Sequence, residues 1–306
     1  MVLAIATNNA ALQASAAASA VNRDMEISME RLSTGKRVNA ARDDAAGVAI
    51  ASRLNSEIRG TNQSVRNALD AQALIDTAEG AHKEVENLLQ RMRELAVQSA
   101  NGTNNADDLL NLQAELNALV KEVDRIASVT TWAGNNLMSG SNTFSFQVGS
   151  ATGSKNQISV TIGSMTASTL GLATASTGSD ILVIADTADT TTAQDHTHYD
   201  DGAGSANDDT ALTNALKTIT VVDAAIKTVN TQRAELGAVS NRLSHTVNNL
   251  TNISSNLSAA KGGIEDADFA VETTELAKNQ ILQQASTAML AQANASKQNV
   301  LSLLQS

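Results

Sequence analysis

The chain has 306 residues, enough for roughly two domains, with no proline, no cysteine and only five aromatic residues (Phe 3, Trp 1, Tyr 1). Its hydrophobic fraction is nevertheless 42%, carried mostly by Ala, Leu, Val and Ile. The lack of cysteine excludes a disulfide scaffold, a thiolate zinc site and a Cys nucleophile, and a net charge of −11 disfavours non-specific nucleic-acid binding, which needs cations to neutralise phosphates.

At the N-terminus, Met1–Ala6 turns polar at Thr7-Asn8-Asn9 with no basic run before it, so no cleaved secretory signal is expected. No segment approaches the ~18 consecutive apolar residues of a membrane span, so no membrane partner is expected. Residues 1–33 and 262–306 are rich in Ala, Asn, Gln and Ser, with apolar residues at helical spacing: Val21, Met25, Ile281, Leu282, Ala285, Met289, Val300, Leu303 and Leu304. Each end has too few large residues to be stable alone, so the ends should pair with each other and with neighbouring molecules.

Leu74, Ala78, Ala81, Val85, Leu88, Met92 and Leu95 alternate steps of four and three, and Leu109, Leu112, Leu116, Leu119, Val123 and Ile126 repeat the pattern. Asn101-Gly102-Thr103-Asn104-Asn105 breaks the two runs, which predicts an antiparallel helical hairpin. Period two follows: Phe144, Phe146 and Val148, then Ile158, Val160 and Ile162, read as a β-hairpin with a loop longer than a tight turn. From Asn156 to Leu216 there is no Lys or Arg but eight Asp, which predicts a solvated surface segment, with one short strand at Ile181–Ile184. A long helix is expected from about Asp209 to Ala259, where Val222, Val229, Leu236, Leu243, Leu250 and Leu257 recur every seven residues, with Ile219, Ile226, Arg233, Ser240, Val247 and Ser254 as the companion column. The absence of proline suits such uninterrupted helices.

Three sets of motifs then resemble bacterial flagellins. Arg31-Leu32-Ser33-Thr34-Gly35-Lys36-Arg37-Val38-Asn39 and Asp43-Asp44-Ala45-Ala46-Gly47-Val48-Ala49-Ile50-Ala51 resemble the N-terminal signature of that family. Leu89-Gln90-Arg91-Met92-Arg93-Glu94-Leu95-Ala96-Val97-Gln98 resembles its middle helical signature. Ile264-Glu265-Asp266-Ala267-Asp268-Phe269-Ala270, Gln280-Ile281-Leu282-Gln283-Gln284-Ala285 and Gln298-Asn299-Val300-Leu301-Ser302-Leu303-Leu304 resemble its C-terminal signature. The resemblance covers about residues 1–172 and 210–306. It departs in the short segment 173–209, where flagellins often insert whole domains, and at Gly262-Gly263, which suggest a hinge or a helix C-cap.

The resemblance implies a mainly α fold of long antiparallel coiled-coil helices with a β-hairpin, a small outer segment, and both termini pairing as helices. It implies an inner-core helix and spoke at 1–43, an outer helical domain at 44–172 completed by a long helix at 210–260, a variable surface segment at 173–209 and an inner-core helix at 261–306. The implied function is a filament subunit for swimming motility, secreted by the flagellar type III apparatus and polymerising with itself into a helical homopolymer through Ile281, Leu282, Met289, Val300, Leu301, Leu303 and Leu304. Other implied partners are an export chaperone, the filament cap and hook-junction proteins. Host Toll-like receptors would contact Arg91, Leu95 and Glu115, although Leu95 also fits a packed seam, and inflammasome sensors would read Leu301, Leu303 and Leu304. Two alternatives are a hook–filament junction protein and a metal-binding or hydrolytic outer segment built on Asp195, His196 and His198. No catalytic residue, cofactor or metal is expected: Glu265, Asp266 and Asp268 read as a helix start, where acids favour the dipole, and no phosphate loop, nucleophile elbow or zincin motif occurs.

Overall fold

The computed structural model describes residues 8–172 and 208–305, with the side chains of 297–305 and of a few residues near 106 and 208–213 outside the description. Among the described residues the order is α1 (Asn9–Thr34), α2 (Ala45–Ser99), α3 (Ala106–Val129), β1 (Thr131–Trp132), β2 (Asn135–Asn136), β3 (Asn142–Gln147), β4 (Gln157–Ile162), α4 (Asp208–Glu265) and α5 (Phe269–Gln305). The expected strand at Ile181–Ile184 lies outside the described residues. The chain divides into a terminal unit (1–59 and 252–306) and a central unit (60–251), so α2 and α4 each contribute to both.

The central unit is held by a dry core. Along α2 the expected column Leu74, Ala78, Val85, Met92 and Leu95 is buried, and a second column of Ala68, Ala71, Ile75, Leu89 and Ala96 is buried beside it. A helix that buries two columns has partners on more than one side, and α3, α4 and the β3–β4 hairpin all contribute to the same cluster. On α3 the buried members are Leu112, Leu116, Val123 and Ala127. The break before α3 is closed by a capping box, in which the Asn105 side chain accepts from the Asp108 amide and Asp108 accepts from the Asn105 amide. On α4, Ala215, Val222, Val229, Leu236, Leu243 and Leu250 follow the seven-residue repeat into the core. The companion column differs from expectation: Thr218 and Ala225 are buried, whereas Ile219 and Ile226 are half-buried. The smaller residues occupy the tighter position and the isoleucines cover the rim.

The β-hairpin has the expected register, with Phe144 opposite Val160 and Phe146 opposite Ile158. Ile158, Val160 and Ile162 point inward, and the connecting loop carries a single 3₁₀ turn at Ser154–Asn156. A second, two-residue hairpin was not anticipated: Thr131 pairs with Asn136 and Trp132 with Asn135. Its turn needs positive φ at both central residues, supplied by Ala133 (φ 48°) and Gly134 (φ 83°).

In the terminal unit α1 and α5 run antiparallel. Asn8 Nδ2 donates to the Ala293 carbonyl (3.2 Å), Gln283 Nε2 to Asn22 Oδ1 (2.9 Å), and Arg31 pairs with Glu272 (3.5 Å). Where α1 ends, Gly35 takes a left-handed conformation (φ 69°). The chain then binds the end of α4: the Arg37 amide donates to the Glu265 carbonyl (2.6 Å), the Ala267 amide to the Gly35 carbonyl (3.0 Å), and Arg37 Nη2 to the Ile264 carbonyl (2.9 Å). Lys36 lies 3.1 Å and Lys261 3.8 Å from the Glu265 carboxylate. Glu265 is therefore at the C-terminus of α4, not at a helix start; its charge opposes the dipole there and is offset by the two lysines. Only Asp268 caps the next helix, accepting from the amides of Ala270 (2.8 Å) and Val271 (3.3 Å). Gly262 and Gly263 lie within the last turn of α4, which corrects the C-cap reading.

Two outcomes follow from this packing. Leu236→Ala should cost the central unit about 2–5 kcal/mol in urea unfolding followed by Trp132 fluorescence; a loss below 1 kcal/mol, on the order of a surface change, would contradict its place in the core. Gly35→Val forces a β-branched residue into the left-handed region at roughly 1–2 kcal/mol. Amide hydrogen exchange at Arg37 and Ala267 should accelerate, and unchanged protection there would show that the clamp does not depend on this turn.

Candidate assembly surface

The α1–α5 pair has an unusual seam. Its most buried positions are Ala14, Ser28, Glu272, Asn279 and Ser286, the last three spaced by seven. Val21, Met25, Leu276 and Leu290 are half-buried. Among the described residues of the terminal unit, the only buried apolar side chains are Ala14, Val38 and Ala51. Small seam residues let the two backbones approach closely, and α1–α5 is the described helix pair with repeated Cα–Cα separations of 8 Å or less.

Several large apolar residues remain exposed outside that seam. On α5 these are Val271 (57% exposed), Ile281 (66%), Leu282 (40%) and Met289 (56%), with Phe269 also exposed; on α1 they are Leu12 and Met29. Val271, Leu282 and Met289 are separated by eleven and seven residues, multiples of the helical repeat, so they form one stripe along α5. The same spacing reaches Val300. The side chains of Val300, Leu301, Leu303 and Leu304 lie outside the described residues, although the helical backbone continues through them. An isolated exposed leucine means little, but large apolar residues repeated along one helix form an apolar face left uncovered among the described residues.

The other sequence-predicted cluster lies in the central unit. Arg91 Nε donates to Glu115 Oε1 (2.9 Å) and Nη1 to Glu94 Oε2 (3.0 Å), with all three side chains well exposed. The bond to Glu115, then that to Glu94, raises the guanidinium pKa further above its ordinary value. Beside the pair is a polar groove of about 400 Å³ lined by Gln98, Asn104, Asp108, Asn111, Leu112 and Glu115. Leu95 is wholly buried, so of the three residues implied for receptor contact only Arg91 and Glu115 offer surface.

Little else in the described residues invites chemistry. They contain no group of three or more His, Asp or Glu placed to hold a metal, and no helix long and apolar enough to cross a membrane. Asp195, His196 and His198 lie outside the described residues. Periodicity gave no notice of His82, which is buried within the α2 seam.

Comparison with known proteins identifies the family. Residues 5–143 match the family model of the bacterial flagellin N-terminal helical region and residues 219–304 that of the C-terminal helical region. A flagellin of Bacillus subtilis is 43% identical over 310 aligned residues, covering 97% of this chain and 98% of its own. Flagellin C of Vibrio cholerae is 36% identical over 376 aligned residues, covering 99% and 100%. The crystal structure of Bacillus cereus flagellin is similar over 64% of this chain and 94% of its own, with 29% identity and a TM-score of 0.43. The relatives are filament proteins, which favours neither the hook–filament junction reading nor the metal-binding one. The chain belongs to the bacterial flagellin family and is a structural subunit that assembles with itself into the extracellular flagellar filament of swimming bacteria.

Proposed function

We propose that the terminal helix pair is the polymerisation element and that the exposed stripe of α5 is its principal contact. The observation that carries this reading is the inverted burial of the pair: Val271, Ile281, Leu282 and Met289 outside, Glu272, Asn279 and Ser286 inside. Stacking identical subunits removes that stripe from water, at about 25 cal/mol per Å² of apolar surface. A head-to-tail contact of this kind, repeated without closing, yields an open filament. In this reading 1–43 and 261–306 form the core of the filament, 44–172 and 210–260 the helical shell around it, and 173–209 a surface segment that takes no part in assembly. Val300, Leu301, Leu303 and Leu304 extend the contact to the end of α5.

The remaining partners are those that the resemblance to flagellins implies. An export chaperone covers the C-terminal apolar stripe before secretion through the flagellar type III route, and the distal cap and the hook-junction proteins receive the subunit. The subunit carries out no catalysis. Arg91 and Glu115 form the surface that animal Toll-like receptors contact, with Leu95 packed beneath it, and the C-terminal leucines are what inflammasome sensors read.

Replacing Leu282 and Met289 together by Asp should leave a helical monomer by circular dichroism that forms no filaments in electron micrographs after salt-induced, seeded polymerisation. Deleting residues 298–306 should do the same. Normal filaments from either variant would place the subunit contacts elsewhere. Substitutions across 173–209 should leave filament yield unchanged; a chain that no longer polymerises would show required contacts from that segment.

A further inference from the structure

His82 interrupts an otherwise apolar face of α2, between Ala78 and Val85, and has no exposed surface. Its Nδ1 lies 2.7 Å from the Ala78 carbonyl oxygen. A carbonyl can only accept, so Nδ1 carries the proton and the ring is held in one tautomer. Nε2 is buried and has no hydrogen-bond partner. A second proton there would place a charge in the core with nothing to receive it, which is costly.

The surrounding charges do not remedy this. Arg233 of α4 is bound to Glu86 of α2 and lies 3.6 Å from Glu79, so the nearest acids are already engaged by a cation. Burial is the largest influence on the ring and pushes its pKa below the ordinary 6.5; Arg233 acts in the same direction, and the Ala78 carbonyl and Glu79 oppose it. On α3, Asp124 accepts from the Ala167 amide (2.7 Å), and Glu122 pairs with Arg125 at the surface (2.6 Å). Strands β3 and β4 carry no ionisable residue.

We propose that His82 is an acid-sensitive catch within the central helical unit: neutral, it holds the face of α2 against its partners, and protonated, it forces that face open. The unfolded chain takes up the proton near pH 6.5, whereas the folded unit does so only at lower pH. The full stability is therefore present above about pH 6.5. As pH falls from there to the folded value, the folding equilibrium constant drops by up to about tenfold per pH unit, and the loss levels off below it.

Trp132 makes this testable, because it is the only tryptophan in the chain and packs against the core of this unit. Urea unfolding of the full-length monomer would be followed by its fluorescence at pH 7.5, 6.5 and 5.5, for the wild type and for His82→Leu. The variant keeps His196, His198 and the exposed His245, so these act as internal controls. The expected result is a fall of up to about fivefold in the wild-type equilibrium constant between pH 6.5 and 5.5, largely absent in the variant. An equal fall in both chains would overturn the proposal. Histidine-labelled NMR of the wild type provides a measurement that does not depend on the variant folding. The His82 imidazole should take up its proton at a lower pH than a free imidazole does; an ordinary titration of His82 would overturn the proposal equally.

Discussion

The constraint on which this molecule turns is that its terminal helices are joined through small and polar residues. Hydrophobic stabilisation scales with apolar area removed from water, and Ala14, Ser28, Asn279 and Ser286 remove little. The close approach they permit gains short contacts between backbones, plus the Asn22–Gln283 and Arg31–Glu272 pairs. Both polar pairs are partly solvated, and such pairs contribute modestly. The pair is therefore ordered without being self-sufficient. Leu276 and Leu290 are only half-buried in the pair, so it encloses little apolar surface by itself.

The central unit follows the opposite strategy. Its helices bury Leu, Met, Val and Ile on two columns, and its hairpin adds Ile158, Val160 and Ile162 to the same cluster. This unit has a core of its own and does not need a second copy to form one. Its buried polar residues include Thr61, Ser64, His82, Ser99, Gln113 and Thr218, and partly buried polar groups of α4 tie it to its neighbours. Arg233 engages two glutamates, and Gln232 Oε1 accepts from the Gly163 amide (2.6 Å), tying α4 to the end of β4. Partly buried polar groups of this kind are costly to leave unpaired, so they oppose a slip of one helix along another.

The long helices and the β3–β4 hairpin were legible in the sequence because each leaves a local period, of three and four or of two, with no proline to interrupt it. What was illegible depends on distant partners. A strict seven-residue reading assigns each helix one partner, so it missed the second buried column of α2 and misplaced the companion column of α4. The β1–β2 hairpin is too short to show alternation. Glu265 looked like a helix-start acid because its two lysines are contributed partly from Lys36, far away in sequence. The exposed apolar residues of α5 were half visible: Ile281, Leu282 and Met289 stand out as apolar, but whether they face inward depends on what covers them. Leu95 illustrates the converse, since a motif residue and a core residue look alike until a neighbour is placed against it.

The stretches that made the family recognisable mostly solve one backbone problem. A chain without proline must end its helices by other means. At the end of α1 this is done by Gly35 and by Asn39, whose Nδ2 donates to Thr34 Oγ1 (2.9 Å). Asp43 Oδ2 then accepts from the amides of Asn39 (3.1 Å) and Ala40 (2.9 Å), and Asp44 Oδ1 from that of Gly47 (2.8 Å) at the start of α2. The two amide bonds, with a smaller contribution from Arg42 and Arg31, hold the Asp43 carboxyl below its ordinary pKa. At the other end Asp268 starts α5, and the Glu265 and Gly35 carbonyls are shared between the two chain segments. Each motif residue here satisfies a donor or acceptor that a helix break would otherwise leave to water. The signature is thus a means of turning the backbone at fixed points, so that α1 and α5 meet in register and the stripe on α5 is left facing outward.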